Sequence, residues 1–279
     1  MTTLEGWNHT LNPPAQVWAD MGISERMGDV LGQAVESKLL KEVQEHPEKV
    51  THLAIIMDGN RRFAWKSKIA TGLGHRIGKQ KLETVLDWVL ELNIPWFTVY
   101  ALSTENLTRP QEELDILFKL YIEGLRDIAE DERIHANEVK VQIIGRRELL
   151  PEDVNEAIDY AENKTAAYDK YVFTVCLAYG SREEMLNAIQ SIAAEHAAGD
   201  LPLDAIDETA VSTRLYTGEM PDPDLVIRTS GEERISNFLL WQMAYSELYF
   251  TDVYWPSFQK KDLLKAVRTF QDRKRRYGE

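Results

Sequence analysis

The chain has 279 residues, 32 Lys and Arg against 46 Asp and Glu, and a net charge of −14. Its 44% hydrophobic and 28% charged residues make an ordinary globular composition, which excludes disordered, collagen-like and coiled-coil classes. The single cysteine, Cys176, can neither pair internally nor build a zinc site, and no apolar run approaches the ~18 residues of a membrane span. The opening MTTLEGWNHTLNPP lacks the basic start and apolar stretch of a signal peptide, so a cytoplasmic protein is expected. A pI near 5.0 argues against nucleic acid as the partner, because phosphate neutralisation needs a basic face.

Residues 20–50 carry Leu31, Val35, Leu39, Leu40 and Val43 at helical spacing and predict an N-terminal helix. His52–Met57 reads as a buried strand that stops at Asp-Gly. A helix follows over Gly74–Leu92, then a strand at Trp96–Leu102, a polar loop at Ser103–Pro110 and a helix from Pro110 past Ile128. The alternation continues with strands at Val139–Ile144, Tyr171–Ala178 and Asp224–Thr229, and helices at Pro151–Tyr168 and Arg182–Ala197. Asn237–Ser246 is helix-compatible, Leu248–Val253 is short and aromatic-rich, and a basic helix starts near Lys260. This order predicts a single α/β domain with a mostly parallel central sheet flanked by helices. In such sheets ligands sit beyond the carboxyl ends of the strands.

The charge is uneven. No acid lies between Asp58 and Glu83, a stretch with seven lysines and arginines, and the last 21 residues carry a net +5, which leaves −26 for the rest. A chain that keeps two segments nearly free of its own acid is expected to need a positive field there, or else to expose a solvated basic face. Four strand ends carry polar clusters: Asp58-Gly59-Asn60-Arg61-Arg62; Ser103-Thr104-Glu105-Asn106 with Arg109; Tyr179-Gly180-Ser181-Arg182; and Arg228-Thr229-Ser230-Gly231-Glu232 with Arg234 and Ser236. Each alone fits a turn or cap, but together they point to an active site. Glycine lets backbone approach a ligand, arginine forks match phosphate oxygens, and Asp58 among them makes sense if Mg²⁺ bridges carboxylate and phosphate. Two phosphate-bearing substrates is the simplest chemical reading. His75 could contact phosphate or cap a helix, and Phe63, Leu73, Leu102, Leu107, Leu117 and Tyr121 could line a channel for a greasy substrate or belong to the core. No P-loop, dinucleotide fingerprint or nucleophile elbow is present.

The blocks DGNRRFA (Asp58–Ala64), Gly74-His75, ALSTENLTRP (Ala101–Pro110) and DLVIRTSGEERISNFLLWQMAYSELYFTDVYWP (Asp224–Pro256) resemble those of the cis-prenyltransferases, the undecaprenyl diphosphate synthase family. The resemblance implies a homodimeric catalytic domain over 51–279; residues 1–50, expected as an N-terminal helical extension from their spacing, lie outside it. It implies Mg²⁺-dependent, head-to-tail condensation of isopentenyl diphosphate onto an allylic prenyl diphosphate, giving a Z-polyprenyl diphosphate. By the same resemblance Asp58 holds the metal, Gly59, Asn60, Arg61 and Arg62 hold the allylic diphosphate, and Arg228, Arg234 and Ser236 hold isopentenyl diphosphate. Asp58, Asn60 and Asn106 are its catalytic positions, while Phe63, His75, Ser103, Thr104, Glu105, Leu107, Arg109 and Ile235 complete the substrate-contacting set. Glu247 is a metal ligand that reaches the partner subunit's site, and Arg276-Tyr277-Gly278 is the tail motif that completes it. Peripheral contact with a membrane for product release stays open. A silent accessory subunit would lack the DGNRR and SxEN residues, and both are present here. Phe63, Leu102, Leu107, Ser230 and Thr71 depart from common family residues, chiefly on the allylic side, which suggests an unusual acceptor or a shifted product length.

Overall fold

Six parallel strands form one sheet in the order β3-β4-β2-β1-β5-β6. They are β1 (His52–Ile56), β2 (Trp96–Tyr100), β3 (Val139–Ile144), β4 (Tyr171–Cys176), β5 (Leu225–Arg228) and β6 (Glu247–Phe250) in the computed structural model, which describes residues 24–273. β1 lies between β2 and β5, with Ile55 registered against Val99 and Ile227. Its five residues are all buried, the profile of a strand covered on both faces. Because side chains alternate across a strand, Leu53 and Ile55 join the larger core cluster, whereas Ala54 and Ile56 join a second cluster with Tyr100, Phe238 and Met243.

The helices are α1 (Ser24–Glu45), α2 (Asn60–Lys66), α3 (Thr71–Glu91), α4 (Gln111–Glu130), α5 (Glu132–Ala136), α6 (Glu152–Thr165), α7 (Ser181–Ala198), α8 (Glu208–Ser212) and α9 (Lys260–Asp272). α3, α4 and α6 contribute Val85, Leu117 and Ile158 to the larger cluster. α1 packs on α9, where Gln271 Nε2 donates to the Val43 and Glu48 carbonyls at 3.0 and 2.9 Å. The predicted N-terminal helix therefore joins the body of the protein, at least through its second half.

The structure departs from the sequence reading at the Asn237–Ser246 segment and at the short helices α2, α5 and α8. Asn237–Ser246 is a succession of turns, because the chain enters it with positive φ at Ser236 (51°), Asn237 (61°) and Leu239 (42°), conformations no right-handed helix contains. Its apolar residues still serve the core: Phe238 and Leu239 are fully buried. The aromatic-rich segment that follows provides β6, the edge strand beside β5. The seven-residue α2 is too short to show an apolar period and is absent from the sequence reading.

Candidate active site

The chain leaves β1 through Asp58 and Gly59 into α2. Gly59 has φ 112°, and a Cβ there would lie 3.0 Å from Tyr254 Cδ1 and 3.1 Å from Ser230 Cβ. Both the conformation and the space demand glycine. The Asp58 carbonyl accepts from Thr229 Oγ1 at 2.6 Å and from the Trp255 N–H at 3.0 Å, which fixes the turn against the ends of β5 and β6.

Two groups of cations flank this turn. On one side Asp58 Oδ2 accepts from Arg228 at 2.9 Å and from Arg62 at 3.1 Å, Arg62 also pairs with Glu232 at 2.8 Å, and Glu232 in turn pairs with Arg234. Arg228, whose side chain is almost wholly buried, donates to Ser236 Oγ at 2.8 Å and to the Arg234 carbonyl. On the other side Arg109, His75 and Arg61 converge on one Glu113 oxygen at 3.0, 3.2 and 3.8 Å. Burial lowers the His75 pKa despite Glu113, so its Nε2–H is a neutral donor to that carboxylate. Each cation group is thus balanced by acids that an incoming anion could displace.

Among the described residues, Asn60 Oδ1, Arg228 Nε and Ser230 Oγ are buried without a hydrogen-bond partner, and all three border this turn. Buried polar groups are rarely left unpaired, so their concentration here marks a polar ligand site. In the loop after β2, the Ser103 N–H donates to Asn106 Oδ1 at 3.3 Å and the Asn106 N–H donates to Ser103 Oγ at 3.1 Å. Asn237 donates to Glu105 at 3.2 Å; hydrogen bonds from Ser103, Asn237 and backbone outweigh partial burial and hold the Glu105 pKa low.

These groups surround the mouth of a cavity of about 1050 Å³. Behind the mouth its wall is mainly apolar, with Leu82, Leu86, Leu117, Leu120, Leu125 and Phe173 between α3, α4 and the sheet, interrupted by the ion pairs Lys79–Glu83 and Arg133–Asp131. A polar, cation-rich mouth on an apolar interior fits an amphiphile with an anionic head and a hydrocarbon tail.

Most of the expected site residues converge. Asp58 through Arg62, His75, Ser103, Glu105, Asn106 and Arg109 line the cavity, as do Arg228, Arg234 and Ser236. Leu102, Leu117 and Tyr121 line it too, so these are core and channel at once. Phe63, Thr104, Leu107 and Ile235 do not line it; Leu107 packs against the larger core cluster and Ile235 against the second. Glu247 opens β6, about 10 Å of strand away from the end that faces Asp58, and pairs with Arg273. Arg276 and Gly278 lie outside the described residues. Sequence reasoning missed Glu113, Tyr100, Asn237 and Trp65. Only Glu113 had a signal, its i, i+4 spacing from Arg109.

No group of three His, Cys, Asp or Glu is found among the described residues. Mg²⁺ needs less, being held by one or two carboxylates together with substrate phosphates. Asp58 fits that demand: its Oδ2 takes both arginines, and Oδ1 is left without a protein partner at the cavity.

The family model described as "Putative undecaprenyl diphosphate synthase" matches residues 56–278. The chain belongs to the undecaprenyl diphosphate synthase family. It is 48% identical to the tritrans,polycis-undecaprenyl-diphosphate synthase (geranylgeranyl-diphosphate specific) of Thermoplasma volcanium, across 92% of this chain and all of that protein. The protein of that name from Methanopyrus kandleri is 52% identical across 86% of this chain and 89% of its own length. Lavandulyl diphosphate synthase from Lavandula x intermedia, solved with dimethylallyl diphosphate, superposes with a TM-score of 0.80 at 36% identity, covering 83% of this chain and 99% of that one. As a member of this family of prenyl diphosphate synthases, the chain is a transferase that elongates a cis-prenyl chain by condensing isopentenyl diphosphate onto an allylic diphosphate.

Proposed function

We propose that this transferase extends geranylgeranyl diphosphate with isopentenyl diphosphate to a long Z-polyprenyl diphosphate, with Mg²⁺, as a homodimer. The observation that carries the reading is the pairing of two acid-balanced cation groups at the mouth of one deep apolar cavity. One group, with Arg61, His75 and Arg109, lies beside α3 and α4, whose leucines wall the cavity, and receives the allylic head so that its tail runs inward. The other, with Arg228, Arg234 and Ser236, receives isopentenyl diphosphate. The geranylgeranyl primer is supported by the printed specificity of the relatives, and Leu102 and Thr71, which depart from common family residues, both line the cavity.

In the reaction, the allylic C–O bond breaks and its electrons leave with diphosphate, while the isopentenyl double bond forms the new C–C bond and a proton is then lost. The Gly59–Arg62 turn and the arginines stabilise the charge that develops on the departing oxygens. Magnesium, held by Asp58 with substrate oxygens, would supply further neutralisation of that charge. Asn106 orients the isopentenyl group, and the apolar wall excludes water from the allylic centre. Glu247 lies too far along β6 to serve Asp58 of its own subunit, which favours a role at the partner's site, where the Arg276–Gly278 tail would join it.

Incubating the purified protein with labelled isopentenyl diphosphate, Mg²⁺ and a primer panel tests the reading. The expected result is a long cis-polyprenyl diphosphate made from geranylgeranyl diphosphate in preference to farnesyl diphosphate. Equal use of the two primers would refute the primer assignment, and the absence of transfer with every primer would refute the whole reading.

A further inference from the structure

Beside the cavity mouth lies a surface that the transfer chemistry does not use. Trp65, near the end of α2, borders the mouth yet is 84% exposed. Leu73, two residues beyond the mouth-lining Thr71, is 43% exposed. Ile116 of α4, whose Cδ1 lies 3.2 Å from the Cβ position of Gly72, is 40% exposed. Lys66 and Lys68 follow Trp65 directly, are both exposed, and make no ion pair among the described residues; Lys66 only overlies the Tyr254 ring at 5.7 Å.

A solvated basic face accounts for the lysines but not for the indole and two aliphatic side chains beside them. Single exposed apolar residues are ordinary; Trp65 and Leu73 beside two unpaired lysines in the acid-free stretch of a chain of net charge −14, with Ile116 of α4 against Gly72, are not. Indole rings settle at the boundary between headgroups and acyl chains, and unpaired lysines are drawn to anionic headgroups. Basic side chains interleaved with Trp and Leu are the composition of surfaces that lie in that boundary. We propose that Trp65, Lys66, Lys68, Leu73 and Ile116 form a docking face for an anionic lipid bilayer, so that the cavity mouth opens against the membrane. The inference rests on the reading that the product is a polyprenyl diphosphate, whose tail must pass from the mouth into lipid.

The test is co-sedimentation of the full chain with phosphatidylcholine vesicles, with and without phosphatidylglycerol. Binding is expected with phosphatidylglycerol only and is expected to fall as salt rises. The double variant Lys66→Gln/Lys68→Gln should bind those vesicles roughly 25-fold more weakly, and Trp65→Ala should weaken binding as well. Wild-type-like binding by the double variant, including binding that is lost only when residues 1–50 are removed, overturns the proposal, as does equal binding to both vesicle types. Prenyl transfer in detergent is measured alongside and should be unchanged in the double variant. A wild-type protein inert in that assay would overturn the reading of the site, whereas failure of vesicle binding by an active protein overturns the docking face alone.

Discussion

Arg228 ties Asp58 to Ser236: one terminal nitrogen lies 2.9 Å from Asp58 Oδ2 and the other 2.8 Å from Ser236 Oγ. One buried guanidinium on β5 thus links the expected metal ligand on the β1 turn to the loop assigned to isopentenyl diphosphate. Removing it takes away a donor expected to hold isopentenyl diphosphate and leaves Asp58 to Arg62 alone. Arg228→Ala should lower kcat/KM for isopentenyl diphosphate by about 10²–10³-fold, the usual cost of one preorganised donor. Asp58→Asn, which keeps size but not charge, should lower transfer comparably while far-ultraviolet circular dichroism stays that of the wild type. Full activity in either variant would sink the assignment.

Gly59→Ala separates conformation from charge. The new methyl group meets Tyr254 and Ser230 at about 3 Å and must adopt φ 112°, so either the turn moves or the strain stays. A cost of about 1–2 kcal/mol is expected, visible as a Tm lower by roughly 3–6 °C. Transfer should fall more than stability suggests, because Asp58 and Arg62 move with the turn. Unchanged melting and unchanged transfer together would mean that the turn is not the constrained element described here.

How much of this was legible in sequence depended on the range of the interactions. β1 was readable because five consecutive apolar residues before Asp-Gly need no distant information. The strand-end clusters were readable for the same reason, and the parallel order then brought three of the four to one cavity, whereas Tyr179–Arg182 does not line it and its Tyr179 and Ser181 are buried instead. Apart from the i, i+4 pair of Arg109 and Glu113, sequence could not show which acid answers which base: Glu113 and Glu232 became visible as partners of Arg61, His75, Arg62 and Arg234 only in space. The Asn237–Ser246 segment misled because apolar spacing is blind to the positive φ values at its start. Leu107 and Ile235 sit within matching motifs, yet their side chains serve the core rather than the cavity wall.

His52 should make stability depend on pH far from the site. Its Nδ1–H donates to the Pro221 carbonyl at 2.6 Å and its Nε2 accepts from Thr98 Oγ1 at 2.8 Å, and burial lowers its pKa from 6.5 to about 4. Between those values the unfolded chain binds the proton more readily, so the contribution is complete above pH 6.5 and is lost as pH falls toward 4. It amounts to about 3 kcal/mol at most. Melting curves from pH 7 to pH 4 should fall more steeply for the wild type than for His52→Gln. Parallel curves would show that His52 is protonated in the folded protein at ordinary acidic pH.

The apolar wall should set how long the chain can grow. Leu125 is buried on α4 and faces the cavity, so Leu125→Trp fills space that the growing tail would occupy. Such overpacking costs ~1–3 kcal/mol of stability. Products read by chromatography should shorten by one or more isoprene units, with primer kcat/KM little changed, because the mouth is untouched. A wild-type product distribution would place the growing tail elsewhere.

The proposed positioning role of Asn106 bears on the fate of the proton. Its side-chain oxygen already accepts from the Ser103 N–H at 3.3 Å, which leaves the amide NH₂, a donor, for a ligand in the cavity that Asn106 lines. A group whose acceptor is engaged and whose free end donates is poorly suited to take a proton and well suited to hold a diphosphate oxygen or orient the isopentenyl group. The proton would then pass to a diphosphate oxygen nearby. Asn106→Asp replaces that donor by a carboxylate, repels the substrate anion and disturbs the Ser103 contact. It should lower kcat at least tenfold across pH 6–8 with no new ascending limb, since no base has been gained. If the variant instead ran faster than the wild type, with a rate rising through the carboxylate pKa, positioning would be the wrong account of Asn106, and side-chain proton transfer would be the right one.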